Sequence, residues 1–451
     1  MSLREAVGAV LFAGGLAACG GRAMPVLPSV VQAGMEETGG AEVVQNLPTP
    51  IQHVIIVFQE NRTPDYLFQG IPNADIKTYG YDSKGQKIAL RPVSLAAPYD
   101  LEHGSAAFVR DYDDGKMDGF DLGLSQAQHL RPFAYGRESE VKPYHDMARQ
   151  YVFGDHMFQS NEGPSYPAHL FIVSGTATDS TIKPDLVRDN PFDLNTLQPR
   201  SGGCDLPRNV VVPTINPETG AKGSTYWACF DPRVLSDFLD AKRVSWRYYQ
   251  QGGGGGLWHA FDSVRHVRYS KDYANVIPSS SRFLADIAAG KLAGVTWLTP
   301  ADQWSDHARQ RGGTANGPSY VAAVVNAVGT SKYWKSTAIL VTWDDWGGWY
   351  DHVKPPIYNH YELGLRVPLL VISPYAKKGY VSKRVHEFGS LLAFTEETFG
   401  IPKGSLHATD GRADDLRDAF DFSQKPRTFV PIKAPPFDPG AIGRITNDED
   451  P

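Results

Sequence analysis

The sequence predicts an α/β protein with a mostly parallel central sheet covered by helices on both faces. Two observations carry this. Short apolar runs, each long enough for one buried strand, recur along the chain and stop abruptly in polar residues. Segments of helical length and periodicity lie between them, so strands and helices alternate. With 451 residues, 41% hydrophobic and 21% charged, the chain has ample apolar material for such a core. The net charge of −6 and the lack of a basic run argue against a nucleic-acid partner.

The chain begins MSLREAVGAVLFAGGLAACG: one Arg, an apolar stretch of small residues, then Leu16-Ala17-Ala18-Cys19. This is the layout of a signal peptide over residues 1–18, too short to span a bilayer comfortably. Leu-Ala-Ala-Cys also resembles a bacterial lipoprotein cleavage box, in which Cys19 becomes the lipidated first residue. The protein is therefore expected to be exported to the periplasm, cell surface or medium, with a possible lipid anchor to the membrane. In an oxidising compartment Cys204 and Cys229 are a natural disulfide pair once Cys19 is acylated. Residues 19–48, rich in Gly, Ala, Pro, Val and Glu, read as a flexible tether.

The first strand follows at 51–59, and His53–Phe58 is its nearly continuous apolar run. It ends in Gln59-Glu60-Asn61-Arg62. Strands of an open α/β sheet gather chemistry at their carboxyl ends. A carboxylate followed by an amide offers two hard oxygen donors there, suited to a divalent cation. Residues 71–100 read as loops and short strands. His103 follows Asp100-Leu101-Glu102, and a helix is expected from about Ser105. Asp111–Asp121 lacks the bidentate Glu of a calcium loop and reads as a solvated acidic loop.

Tyr144, Met147, Ala148 and Tyr151 recur at helical spacing, so a helix is expected over 143–150 and a strand over 151–158. Ser165 then sits between Pro164 and Pro167, just before a helix expected over 168–174. Such a hydroxyl either caps the helix or lies where N–H groups stabilise an anion. Residues 176–232 are polar and Pro-rich, hold both late cysteines, and read as an inserted, disulfide-pinned loop region. A helix at 234–241 and a strand at 244–249 precede five glycines at 252–256, which lack the Walker pattern and read as a hinge or loop tip. Trp258-His259 closes that loop.

Next come a helix at 281–289, a strand at 294–298, a polar loop with Trp304 and Asp306-His307, and an amphipathic helix at 319–328. The run AILVTW at 338–343 is a second buried strand, ending in Asp344-Asp345. A strand at 369–372 and a helix at 387–400, closed by Gly400 and Pro402, complete the pattern. One domain is expected over 49–435, with the insertion at about 176–232 and a C-terminal tail at 436–451.

Two strands far apart in sequence thus end in oxygen donors, Glu60-Asn61 and Asp344-Asp345. Adjacent acids repel, and a bound cation offsets that repulsion. Ser165 is a candidate nucleophile, and His103, His259 and His307 are candidates to donate protons or bind phosphate. Carboxylates, an amide, a hydroxyl and imidazoles together fit metal-assisted phosphoryl transfer.

These residues carry a family resemblance. Glu60-Asn61-Arg62 with Asp65 and Gly70 is similar to the Glu-Asn-Arg-Ser-Phe-Asp segment of the bacterial phosphoesterase family of non-specific phospholipases C and acid phosphatases. Gly163-Pro164-Ser165-Tyr166-Pro167 resembles its nucleophile loop. Thr342–Val353 with Pro355-Pro356 resembles its block of paired acids, Gly-Gly, Asp-His-Val and Pro-Pro. Arg366-Val367-Pro368 through Ser373-Pro374-Tyr375 matches a further landmark. The resemblance runs from about 51 to 400 and implies an alkaline-phosphatase-like α/β fold. It implies Glu60, Asn61, Asp344 and Asp345 as ligands of a divalent metal (Ca, Mg or Zn), Ser165 as nucleophile, and His103, His259 and His307 around the phosphate. Three departures stand out: Thr63-Pro64 for Ser-Phe, Ala168-His169 for Asn-Arg, and Asp345 where phospholipases commonly carry Glu.

The expectation is an exported, metal-dependent phosphoesterase. The first choice is phospholipase C-type hydrolysis of glycerophospholipids through a phosphoserine intermediate. Trp258, Trp304, Trp346 and Trp349 lie near the site residues in sequence and are candidates either to meet lipid or choline or, equally, to be core. A broad acid phosphatase on soluble monoesters is the alternative, and a non-catalytic, membrane-tethered binding protein is the alternative of another class.

Overall fold

The computed structural model describes residues 49–308 and 314–437. The expected signal peptide, the tether up to residue 48, Cys19 and the tail from 438 onward lie outside the described residues.

Strands β1 (His53–Gln59), β2 (Val152–Phe158), β3 (Trp246–Tyr249), β4 (Val276–Ile277), β5 (Val295–Leu298), β6 (Thr337–Trp343), β7 (Arg366–Ile372) and β8 (Tyr380–Ser382) form one eight-stranded sheet. Their order is β4-β3-β5-β1-β6-β7-β2-β8. Every pairing is parallel except those of β7, which runs antiparallel to both β6 and β2. The apolar runs explain the central position of β1 and β6. In β6 every residue is buried, and in β1 every residue after His53 is. Only strands covered on both sides tolerate this.

The helices that pack on or border the sheet are α1 (Pro64–Leu67), α2 (Ser105–Tyr112), α3 (Glu138–Gln150), α4 (Ser165–Ser174), α5 (Leu235–Ala241), α6 (Arg282–Ala288), α7 (Gly317–Gly329) and α8 (Phe388–Thr398); single helical turns at Arg265–Arg268 and Thr409–Arg412 lie in the connections. Successive strand residues point to opposite faces. Phe58 meets Phe388 of α8, ring centroids 5.0 Å apart. Trp343, paired in register with Gln59, meets Tyr144 of α3 at 5.1 Å on the other face. α4 and α5 join α8 on the first face, while α7 and α6 join α3 on the second. The expected three-layer α/β arrangement is thus present. Helix α3 starts at Glu138, five residues before the periodic stretch, and α4 starts at Ser165 itself rather than at Ala168.

The segment 176–232 departs from the expected loop region. It contains a small antiparallel sheet of Leu186–Val187, Phe192–Asp193, Val210–Ile215 and Lys222–Trp227. The Cys204–Cys229 disulfide pins it, with Cα atoms 4.6 Å apart. Of the glycines at 252–256, Gly252 and Gly253 form the open tip expected there, while Gly255 and Gly256 are packed. The Gly256 N–H donates to the Gly202 carbonyl at 3.0 Å. A Cβ on Gly203, whose φ is +140°, would lie 2.9 Å from Gly255 Cα. The acidic stretch 111–121 is partly buried: Asp111 accepts from Trp346 Nε1 at 3.1 Å, and burial pushes its carboxyl up to about 7.

The register of β1 and β6 matters most for function. His53 pairs with Thr337 and Gln59 with Trp343, so both strands stop together. The Asp344 N–H donates to the Gln59 carbonyl at 3.0 Å, and Glu60-Asn61 and Asp344-Asp345 emerge side by side.

Candidate active site

The chain turns sharply at both strand ends. Asn61 has φ of +54°, in the left-handed region that asparagine tolerates better than most residues. Its N–H donates to Asp344 Oδ1 at 2.9 Å, and the Asp345 N–H donates to the same oxygen at 2.7 Å. Asp345 Oδ1 accepts the Gly347 N–H at 2.7 Å. Gly347 has φ of +63°, and a Cβ there would lie 2.5 Å from the Asn61 carbonyl oxygen. Only glycine lets the two corners approach this closely.

Ser165 is the first residue of α4, with Pro164 as the flanking cap. Its side chain is fully buried, and Oγ lies 3.4 Å from both Glu60 Oε2 and Asp345 Oδ2. α4 is buried along its whole length, as its apolar sequence after His169 requires. The helix N-terminus adds partial positive charge beside the hydroxyl.

In the sequence His169 stands out only as a departure from the family pattern, yet it belongs to this cluster. It lies one turn after Ser165 on the same face of α4, a spacing that could have flagged it. Its Nε2 is 2.9 Å from Glu60 Oε1. Burial, and then the neighbouring charge of His259, hold the His169 imidazole well below the ordinary histidine value. It is therefore neutral and offers a nitrogen lone pair rather than a charge.

The three expected histidines approach from separate loops. His103 directs Nδ1 at the Leu101 carbonyl, 2.6 Å away, so Nδ1 carries the proton. His103 Nε2 then accepts from Asn61 Nδ2 at 3.0 Å, which turns Asn61 Oδ1 the other way. His307 likewise donates from Nδ1 to the Ala308 carbonyl. Its ring centre is 5.8 Å from that of His103. Its loop is anchored by Asp306, which accepts from Tyr144 at 2.7 Å and from Trp343 Nε1 at 3.0 Å. His259 is buried, with Nδ1 3.2 Å from Asp262 Oδ2. Gln250 and the Gly255 N–H also bind that carboxylate.

Of the two roles open to the tryptophans, the structure has the core one. Trp258, Trp304, Trp346 and Trp349 are all buried. Trp258 and Trp346 flank His307 and His103 as walls, Trp304 stacks on Tyr320, and Trp349 packs on Tyr66. None presents a free face to lipid; their apolar area is spent on the core.

The donor set suits a cation. Ligand atoms of Glu60, His169 and Asp344 lie within 4.8 Å of one another. Asn61 Oδ1 and Asp344 Oδ2 are buried without a hydrogen-bond partner, a costly state that an ion relieves. A second acidic group, Asp65, Asp351 and His352, is already compensated: Arg366 bonds Asp351 twice at 2.9 Å, and His352 Nδ1 is 2.7 Å from Asp65.

The Phosphoesterase family model matches residues 51–402 of the chain. The chain is 23% identical over 441 residues to the hemolytic phospholipase C of Pseudomonas aeruginosa, covering 82% of itself but only 56% of that protein. It is 24% identical over 450 residues to phospholipase C A of Mycobacterium tuberculosis, covering 88% of itself and 82% of the relative. With non-specific phospholipase C6 of Arabidopsis thaliana the identity is 24% over 456 residues, and the coverage 89% and 78%. Among solved structures, a protein of the alkaline phosphatase superfamily from Vibrio parahaemolyticus aligns over 82% of this chain and 71% of that one, at 11% identity and a TM-score of 0.38. With its family landmarks converging on one acid-lined corner, the chain belongs to the Phosphoesterase family, hydrolases of phosphoric ester bonds.

Proposed function

We propose that the protein is an exported, metal-dependent phosphoesterase that cleaves glycerophospholipids in the phospholipase C manner, through a phosphoserine intermediate. One observation carries this reading: the Ser165 hydroxyl lies 3.4 Å from carboxylates of both strand ends, at the start of a buried helix. The names of the relatives, phospholipases in each case, favour a lipid substrate. The disulfide agrees with export.

Glu60, Asn61, Asp344 and Asp345 would hold the divalent ion, with His169 as a further donor. When bound, the ion lowers the pKa of the serine hydroxyl and offsets phosphate charge. The protein's own groups do the rest. Ser165 Oγ passes its proton to a carboxylate 3.4 Å away, attacks phosphorus, and the bond from phosphorus to the lipid alcohol breaks. His307 in its doubly protonated form, with Nδ1–H fixed on a carbonyl, gives the proton on Nε2 to the departing oxygen. Water then attacks the phosphoserine and gives its proton to the neutral His307 Nε2, the bond from phosphorus to Oγ breaks, and Oγ takes back the proton held by the carboxylate, releasing the phosphomonoester. His103 acts one step back: by accepting from Asn61 Nδ2 it keeps Asn61 Oδ1 turned toward the ion site. His259, oriented by Asp262, faces the same cluster through His169.

The test compares wild type and Ser165→Ala on phosphatidylcholine and on p-nitrophenyl phosphate, with each divalent cation added singly to stripped protein. Wild type should release phosphocholine with at least one cation. Ser165→Ala should lose turnover by a factor of about 10³ or more. Full turnover in Ser165→Ala would remove the nucleophile. Activity on the soluble ester alone would move the enzyme to the monoester class.

A further inference from the structure

A groove of about 480 Å³ adjoins the candidate site. One wall comes from residues 100–107 and the other from residues 189–199 of the insertion. His103 and Pro164, which precedes Ser165, both line it. The rim of this groove is aliphatic. Leu197 is 71% exposed and Leu194 47% on the insertion side, while Val109 is 67% exposed and Leu122 43% on the other. Val109 lies one turn after Ala106, a lining residue, on α2. Gly123, next to Leu122, stands against Arg110 and Glu102, the latter also in the lining. Leu197 thus lines one wall and Val109 stands on the same face of α2 as Ala106 of the other, with Leu194 near Leu197 in sequence and Leu122 adjoining Gly123.

Leu197 is the most telling of them. Its φ is +57°, a conformation that costs a leucine roughly 1–2 kcal/mol. The turn is nevertheless firmly tied. The Leu197 N–H donates to Asp193 O at 2.7 Å, Asp193 N–H to Gln198 O at 3.0 Å, and Leu194 N–H to Asn209 O at 2.9 Å. The small sheet and the disulfide hold its base. Packing gives no reason for a leucine here, because the side chain projects into solvent. Glycine or asparagine would fit the backbone better.

We infer that this rim is a lipid-contacting lip: Leu197 and Leu194, with Val109 and Leu122 opposite, enter the surface of a bilayer and set the groove mouth against it. The inference rests on the phospholipid reading above and extends it. A lipid surface is the occupant to which the exposed aliphatics point, because a bilayer accepts aliphatic side chains without a complementary shape. The acyl part of a phospholipid also stays in the bilayer during headgroup cleavage, so the surface beside the groove must meet it. Asp100 and Asp189 add negative charge to the groove, where Glu102 is paired with Arg110 at 2.6 Å, and this charge complements the trimethylammonium groups of a zwitterionic surface and opposes an anionic one.

The test is co-sedimentation of the full-length chain, carrying Cys19→Ser in every sample so that no acyl anchor intervenes, with phosphatidylcholine vesicles. Leu197→Asp should weaken binding about tenfold or more. Leu197→Gly should weaken it severalfold while holding or raising the unfolding temperature, because glycine suits the backbone. In both variants the ratio of turnover on vesicles to turnover on p-nitrophenyl phosphate should fall. Equal binding of wild type and the double variant Val109→Asp, Leu197→Asp would overturn the inference, as would failure of the wild type to bind vesicles. A change in oligomeric state by light scattering, with vesicle binding intact, would overturn it in favour of a second copy as the occupant. Lip-dependent vesicle binding without turnover of any phospholipid would sustain the lip and refute the catalytic reading.

Discussion

Gly347 carries more of the site than any charged residue beside it suggests. Its positive φ and the 2.5 Å approach to the Asn61 carbonyl leave no room for a side chain. Gly347→Ala is expected to lower stability by about 2 kcal/mol or more, and to lower kcat by shifting the Asn61 corner. Urea denaturation and steady-state kinetics check both. Another residue-scale expectation concerns pH. His266 sits between Asp237 and Asp231, 3.0 and 2.7 Å from its two ring nitrogens. The hydrogen bond to Asp237, reinforced by that to Asp231 against partial burial, raises its pKa to about 9 from 6.5. A raised folded-state pKa means the contribution is complete below pH 6.5 and disappears as pH rises through about 9. His266→Gln should therefore unfold at a lower temperature than wild type at pH 6 and converge on it near pH ~10. Most of the site is legible in the sequence at this scale, because acids at the end of a buried strand are costly unless they bind something. His169 is not, since a histidine in an apolar helix is more often a core residue. Its spacing one turn after Ser165 is a hint, and its distance to Glu60 is what distinguishes it.

Among the elements, β1, β6 and α7 are legible because burial on two faces, or on one stripe, writes itself into apolar spacing. The small sheet of the insertion is not. Two of its four strands are only two residues long, and their pairing is set by contacts between segments rather than by local pattern. The direction of β7 is also hidden, since periodicity does not encode direction. The cause lies in the connection: residues 344–365 between β6 and β7 hold no helix, so no crossover is available for a parallel return. The disulfide, by contrast, is expected from the sequence, and its Cys204–Cys229 loop of 25 residues should contribute about 3 kcal/mol. Replacing both cysteines by serine is expected to lower the unfolding temperature. It should also loosen 186–227 before the main sheet, which hydrogen exchange of the two regions would register.

For the molecule as a whole, the proposed ion at the two strand ends would make stability depend on its supply. A cation present at about a thousand times its Kd would add about 4 kcal/mol to the folded state. Chelation should accordingly lower the unfolding temperature, and one divalent cation should restore it. An unfolding temperature indifferent to chelator and to every cation would remove the metal from the proposal. The reversed strand bears on the same question. Because β7 runs against its neighbours, it delivers its first residue to the edge where β1 and β6 deliver their last, and that residue is the buried Arg366. Its guanidinium binds Asp351 and reaches Asp65, both in the segments that leave those strands. One inverted strand thus equips the acids beside the candidate site with a permanent internal counterion, so that group is charge-balanced with no ion at all.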